Sequence, residues 1–452
     1  MEFDTVTISR LITAMTLIFH IVFATLGVGV PLFISLAEFI GIRKKDKHYE
    51  LLAKRWSRGF VISVAIGVVT GTAIALQLSL VWPNFMQLAG NVIALPLFME
   101  VFAFFFEAIF LGIYLYTWDR FKSKYTHWLI SIPVIIGAGM SAVFISTVNS
   151  FMNSPSGFTM ENGEFSAVNP LEAMLNPSTP TRVFHVLGGS YLTVAAILAA
   201  IAAFALLRKK GAAEYHKKAL KMTVISMFVF SVVTALGGDL SAKYLAKPKH
   251  QTEKLAAAEW HFETEGNADL VLFGWLNEDN EVVGAIRVPG FLSFLAHGDF
   301  TSEVIGLEAT PEGERPPLII HYLFDLMVMI GFFLLAVSFL YLVLSRFKRW
   351  DVHNKFILWL LALGGPLAML AVEFGWLFAE LGRQPWILRG YMTVEEAATK
   401  SPYIVHMFFL FLALYVVLGT LFILTLRKLF KDNPVELDLE KHYPELSKGD
   451  KK

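Results

Sequence analysis

The sequence has no cysteine in its 452 residues. Disulfides, thiolate zinc sites, iron–sulfur clusters, cysteine nucleophiles and haem attached through a C-x-x-C-H motif are excluded together. Charge is scarce too: Asp, Glu, Lys and Arg make up 17% of the chain, against about 25% in a water-soluble domain. Neither sign is in excess, with 38 Lys+Arg against 38 Asp+Glu, so nothing in the balance calls for nucleic acid or an acidic substrate. What is abundant is apolar, with 55% hydrophobic residues and 40 Phe. A soluble globular protein is excluded, and the expected solvent is a lipid bilayer.

A helix crossing the hydrocarbon core needs about 20 mostly apolar residues. Nine stretches qualify, at 11–40, 59–82, 93–118, 127–149, 183–207, 219–243, 318–345, 356–381 and 403–426. The first follows an acidic Met-Glu-Phe-Asp start and is too long for a signal-peptide core, so it reads as an uncleaved span. The loops alternate in charge. One set carries Arg43, Lys44, Lys45, Lys47, Lys54 and Arg55, then Arg120, Lys122 and Lys124, then Arg208, Lys209, Lys210, Lys217 and Lys218, then Arg346, Lys348, Arg349 and Lys355. Arg427, Lys428 and Lys431 belong with them. The other set is nearly free of basic residues: 83–92 has none and 150–182 only Arg182. The positive-inside rule then places the N-terminus outside and the C-terminus in the cytoplasm. The fold class expected is an all-α, polytopic integral membrane protein of nine transmembrane helices. Its membrane domain covers 1–430, and 431–452 is a polar, solvated cytoplasmic tail. The one long connection, 244–317, falls outside and carries 13 acidic residues against 5 Lys/Arg. A loop of that length in a compact protein is usually functional.

Ionisable groups inside a span cost about 2.5–3.5 kcal/mol on insertion scales and point to function. His20 lies in the first span, roughly 14 Å from its outer end at 1.5 Å per residue. His185, His321 and His406 open the fifth, seventh and ninth spans; the other histidines sit in loops or near span ends. A lone histidine is as readily a side chain satisfied by a neighbouring helix, less so for the deep His20. Glu100 and Glu107 in the third span, and Glu373 and Glu380 in the eighth, are each two turns apart, so each pair shares a face with about 10 Å between its members. Such a face suits a proton relay, or else structural hydrogen bonds to other helices. Ser141, Asn149 and Asp325 add polar groups. Imidazole, thioether and carboxylate are all plausible haem-iron ligands, and His20, His185, Met327 and Glu380 all fall in the outer halves of their spans. Paired histidines 13 or 14 apart, as in bc-type cytochrome b, are absent, as is the adjacent histidine pair of haem–copper oxidases.

The stretch Gly375-Trp376-Leu377-Phe378-Ala379-Glu380-Leu381-Gly382-Arg383-Gln384-Pro385-Trp386 resembles the G-W-x-x-x-E-x-G-R-Q-P-W signature of subunit I of cytochrome bd-type quinol oxidases. Further matches follow in chain order: Ser9-Arg10 and Thr13-Ala14-Met15 before His20; Ala103-Phe104-Phe105-Phe106-Glu107; Trp118-Asp119-Arg120; Ser141 to Asn149; His185 with Gly188–Tyr191; and Lys254-Leu255-Ala256-Ala257-Ala258-Glu259. The resemblance covers essentially residues 1–430.

It implies a quinol:O₂ oxidoreductase of a bacterial or archaeal cytoplasmic membrane, electrogenic without pumping, with two b-type haems, one d-type haem (a chlorin) and no copper. By resemblance, His185 and Met327 are the axial ligands of the low-spin haem, and His20 and Glu380 hold the two other irons in an order left open. Arg10, Trp376 and Arg383 are implied as further cofactor-binding residues, Lys254 and Glu259 as quinol-site residues of the 244–317 loop, and Glu107, Ser141 and Glu100 as a proton path. A second membrane subunit (subunit II) is implied as partner, with room for a small single-span one. Two features depart from the family pattern: the span-3 carboxylates are seven rather than eight apart, and Asp325 stands where the family often has Arg. The alternatives are a haem-b-only, cyanide-insensitive variant of the oxidase and a haem-free transporter using the buried carboxylates. The transporter lacks support from inverted repeats or broken helix pairs, which the sequence does not show.

Overall fold

The computed structural model describes residues 4–209, 211–347 and 351–444; Lys210, Lys348 and Arg349 of the basic loops lie outside them. Among the described residues, nine helices are long and apolar enough to cross a membrane. They are α1 (Thr5–Lys44), α2 (Lys47–Val81), α3 (Pro83–Tyr116), α4 (Lys124–Asn153), α6 (Thr179–Leu207), α7 (Ala213–Leu245), α10 (Ile320–Leu344), α11 (Lys355–Leu381) and α13 (Ile404–Asp432). Short helices fill the connections: α5 (Pro170–Met174), α8 (Thr252–Ala258), α9 (Phe291–His297), α12 (Val394–Ala397) and α14 (Val435–His442).

Every expected span is present, but several helices outrun their apolar stretch, because caps rather than hydropathy end them. Asp4 accepts from the Val6 and Thr7 amides and starts α1 six residues before the apolar run, and Lys45 closes it in the left-handed region at φ 54°. Pro83 at the first turn starts α3 ten residues before its apolar core. His20 is consequently about 22 Å along its helix, deeper than the apolar boundary suggested.

The helices form two groups of four. In one, α1 packs on α2 and α4, and α3 on α4; in the other, α6, α7, α10 and α11 pack in a ring. The groups join where α1 and α4 meet α6. This join needs small residues, since lipid offers no hydrophobic drive between helices. Gly29 of α1 lies against Val194 of α6, and a Cβ at Gly365 of α11 would come 2.7 Å from Ala200 Cβ. Ala195, Ala196, Ala199 and Ala203 of α6 are fully buried. Accordingly α6 is the central helix, 67% of its apolar window buried, while α13, packed on α1 and α2, is 11% buried and presents the rest outward.

One end of the bundle carries the basic loops and the other the long 244–317 connection. That connection is not irregular throughout: besides α8 and α9 it contains two-stranded antiparallel pairs, Leu270–Leu272 with Ile286–Val288 among them. A hairpin, Thr159–Glu161 with Glu164–Ser166, sits in the 150–182 loop. The tail departs further from the expectation of a solvated end. Helix α14 is docked at the basic end, with Leu439 1% and Asp438 4% exposed. Asp438 takes a short ion pair from Arg55 and a longer one, 3.3 Å, from Arg58. Composition marks this segment as polar but does not show that one of its three acids, Asp438, meets two arginines of α2.

Candidate functional site

Two histidines stand out by the state their neighbours impose. His20 Nδ1 lies 2.8 Å from Thr70 Oγ1 on α2, and that hydroxyl also reaches the Ile66 and Gly67 carbonyls at 3.0 and 3.1 Å. With its single proton given to a carbonyl, Thr70 accepts from His20, so Nδ1 carries the hydrogen and Nε2 keeps its lone pair. His185 donates from Nδ1 to the Thr234 carbonyl at 3.0 Å, leaving Nε2 free likewise. An imidazole oriented through one nitrogen and free at the other is the arrangement of a metal-ligating histidine. His185 sits against Gly237 and Gly238 of α7, where added Cβ atoms would come 2.9 Å from its Cα and 3.4 Å from its Cε1. Met327 lies on α10 in the same helix ring, its Sδ 2.9 Å from where a Cβ of Gly375 would be. The donor set therefore fits haem iron.

Between the two helix groups, near the long loop, a polar cluster centres on Glu380. Its carboxylate accepts from Asn149 of α4 at 2.6 Å and from Arg383 at 2.6 Å, and Arg182 of α6 makes a short bond to the same Asn149. Lys254, 2% exposed, donates to the Ala379 carbonyl at 3.1 Å and rides 4.8 Å over the Phe378 ring. Burial, then the Arg182 and Arg383 charges, push its ammonium well below the usual lysine range. Arg10 is exposed and donates to Gln384 at 3.1 Å; Trp376 is half-buried on α11.

Glu259 caps α8 on another side. Five residues from Lys254, it is turned by about 140° from it, given 100° per residue, so the two do not form a pair. Its carboxyl is 3% exposed with Oε2 unpartnered among the described residues. Burial, and secondarily the charge of Asp325, raise it to about 8. Beside it His321, fully buried, donates from Nδ1 to Ala258 at 2.7 Å, stacks on Trp260 at 3.8 Å and holds Nε2 3.4 Å from Asp325. Asp325 in turn accepts the Phe273 amide at 3.1 Å. Asp325 is thus tied into fastening the long loop onto α10.

On α3, Glu100 and Glu107 both face α4, as their spacing requires. Ser141 donates to Glu100 at 2.9 Å, so it belongs with that residue and not with Glu107. Glu107, 4% exposed, has an Oε1 unpartnered among the described residues and lies where Gly137 lets the two backbones meet. The partners Thr70 and Arg182 were not among the residues the sequence singled out. Neither carries a signal of its own, since a hydroxyl in a span satisfies itself on its own backbone and Arg182 reads as a loop charge.

Comparison with known proteins gives the family. The family described as cytochrome bd terminal oxidase subunit I matches residues 8–434. A putative cytochrome bd menaquinol oxidase subunit I of Bacillus subtilis (strain 168) is 38% identical over 96% of this chain and 99% of its own length. The cytochrome bd ubiquinol oxidase subunit 1 of the same organism is 32% identical over 92% and 91%. The solved bd oxidase of Geobacillus thermodenitrificans superposes with a TM-score of 0.91 at 57% identity, covering 96% of this chain and 100% of that one. By sequence, span count and superposition alike, the chain belongs to the cytochrome bd terminal oxidase subunit I family.

Proposed function

We propose that this chain is the haem-bearing subunit of a bd-type quinol oxidase that oxidises quinol at the outer face of a bacterial cytoplasmic membrane and reduces O₂ to water with protons from the cytoplasm. The N-terminus and the 244–317 loop then lie outside and α14 inside, with residues 1–430 as the membrane domain and a second subunit beside it. The observation that carries the reading is the pair of imidazoles, His20 and His185, each held through Nδ1 with Nε2 free inside a span.

In this reading His185 and Met327 hold a low-spin b haem, and His20 and Glu380 hold a second b haem and a d-type haem. Bound haem supplies the electron transfer and oxygen chemistry. Arg383 and Asn149 fix the Glu380 carboxylate, and Arg10 and Trp376 line the same end. Two quinols give two quinones, four protons and four electrons; O₂ with four protons and four electrons gives two waters. Glu259 takes a quinol hydroxyl proton, and a base raised to about 8 does so better than an ordinary carboxylate. Lys254, beside the polar cluster, offers its N–H groups to the quinol oxygen on which charge develops. Glu107, then Glu100 with Ser141, pass protons from the opposite side, so charge separates without a pump.

The test is a reduced-minus-oxidised absorption spectrum of the purified complex with haem extraction. A chlorin band in the red beside b-haem bands supports the full reading. Haem b alone keeps the oxidase and replaces the chlorin. A folded protein with no haem overturns the oxidase and leaves a transporter, to be sought as substrate-dependent flux.

A further inference from the structure

At the basic end, three buried side chains from three helices join in one hydrogen-bonded unit that the scheme above does not use. Tyr114 of α3 donates to Glu38 Oε2 of α1 at 2.7 Å, and His127 Nδ1 of α4 lies 2.6 Å from Glu38 Oε1. The other ring nitrogen of His127 donates to the Tyr114 carbonyl at 2.9 Å. Glu38, His127 and Tyr114 are 4%, 3% and 1% exposed. Since Nε2 is committed as a donor, the 2.6 Å contact holds a single proton, either on the imidazole or on the carboxyl. The pair is then neutral and can take one more proton, with Glu38 protonated and His127 cationic, and give it up again.

Its place on the helices gives that capacity a direction. Tyr114, Glu107 and Glu100 follow at intervals of seven on the face of α3 that meets α4, about 10 Å between neighbours. Two or three waters bridge each interval if the positions act as one path. Glu107, the next station inward, has a buried oxygen unpartnered among the described residues, as such a path needs. The side of the unit facing the basic loops is lined by Trp118, 4.8 Å from the His127 ring, with Lys54 above that indole and 3.7 Å from Asp119. We propose that Glu38, His127 and Tyr114 form a proton-holding relay that loads Glu107 and, through it, Glu100. The inference rests on the reading that protons enter from the basic end.

The test uses the intact oxidase with its partner subunit in liposomes. Three quantities are read: quinol-driven O₂ consumption, anaerobic haem reduction by quinol, and the side from which protons vanish, by a trapped pH dye. His127→Gln keeps a donor toward Glu38 but cannot relay a proton, and Glu38→Gln removes the shared site. Each is expected to slow O₂ consumption about tenfold or more and to raise its D₂O isotope effect, with the haem spectrum and anaerobic reduction unchanged. Should a variant lose haem, Tyr114→Phe, which keeps the ring stacked on His127 at 4.5 Å, replaces it, with slowing of about threefold expected. Unchanged consumption, or consumption and anaerobic reduction slowed alike as a merely structural clip would give, overturns the relay. Wild-type uptake from the loop end overturns the underlying reading instead, and the dye reports this without any variant.

Discussion

On α11, Glu373 and Glu380 stand two turns apart on one face, yet they are treated in opposite ways. Glu380 is bound by Asn149 and Arg383, with Arg182 and Lys254 close by. Glu373, 9% exposed, has neither oxygen partnered among the described residues. The same split separates the loop end from the α3 face, where Glu107 is also left with a bare oxygen. A carboxylate held by hydrogen bonds from two sides is kept in place, which suits a ligand or an anchor. One buried without a partner bears a desolvation cost whenever it is ionised, which suits a group that picks up and loses a proton.

Breaking the compensated side has the largest expected effect. Glu380→Ala leaves Arg383 and Arg182 facing one another without their anion. Stability should fall by about 2 kcal/mol, less than a fully buried pair would cost because this carboxylate is 25% exposed. One haem should also be missing from the purified complex. The contrast is Glu373→Gln, which removes no partner: thermal unfolding should not move downward, and a drop comparable to that of Glu380→Ala sinks the distinction. Next comes Glu259→Gln, for which quinol oxidation should fall about a hundredfold. In the unsubstituted enzyme the rate should climb with pH and level off above about 8, since the acid must ionise before it can accept a proton. Asp325→Asn removes the neighbouring charge that helps raise Glu259, so the climb should move to lower pH; steady-state rates from pH 5.5 to 9, a range spanning about two units either side of neutrality, read both.

How much of this was legible beforehand depends on whether a feature is local. The nine spans, the heptad pairing of the acids and the candidate ligands all lie in single segments, and hydropathy and helix period expose them. Hydropathy misplaces the helix ends where Asp4, Lys45 and Pro83 set them, because caps act outside the apolar run. Glu38 carries no such signal, since it lies at the last turn of its apolar stretch and reads as interfacial; only the packing of α3 and α4 shows it buried. The partners of His20 and His185 are a threonine and a backbone carbonyl on other helices, and no sequence signal distinguishes them from dozens like them. The α14 tail shows the same limit in reverse, polar in composition and docked through Leu439 and Asp438.

Thr70 sharpens the comparison at an intermediate scale, because it holds His20 without any charge. Thr70→Val keeps the shape and removes the oxygen that accepts from Nδ1, so the ring should lose its fixed tautomer and retain haem about tenfold less well. Thr70→Ser should restore retention. Equal loss in both variants would mean that packing, and not the hydrogen bond, orients the ring.

The smallest effect on turnover is expected from the compensated cluster that touches neither the candidate haem ligands nor the acids of the long loop. Asp438 lies between Arg55 and Arg58, with only 5% of its side chain exposed. Asp438→Asn keeps the volume and leaves two guanidiniums of α2 without an anion, so α14 should detach while the spans, held by their own packing, do not. Cleavage after the basic pair Arg427-Lys428 or at Lys441 by trypsin should become faster, and O₂ consumption should stay within about twofold, as for a site that contacts no reacting group. Loss of turnover without loss of the α14 contact would place the tail in the proton-uptake machinery. Compensated charge would then no longer be a guide to which buried groups merely hold the fold.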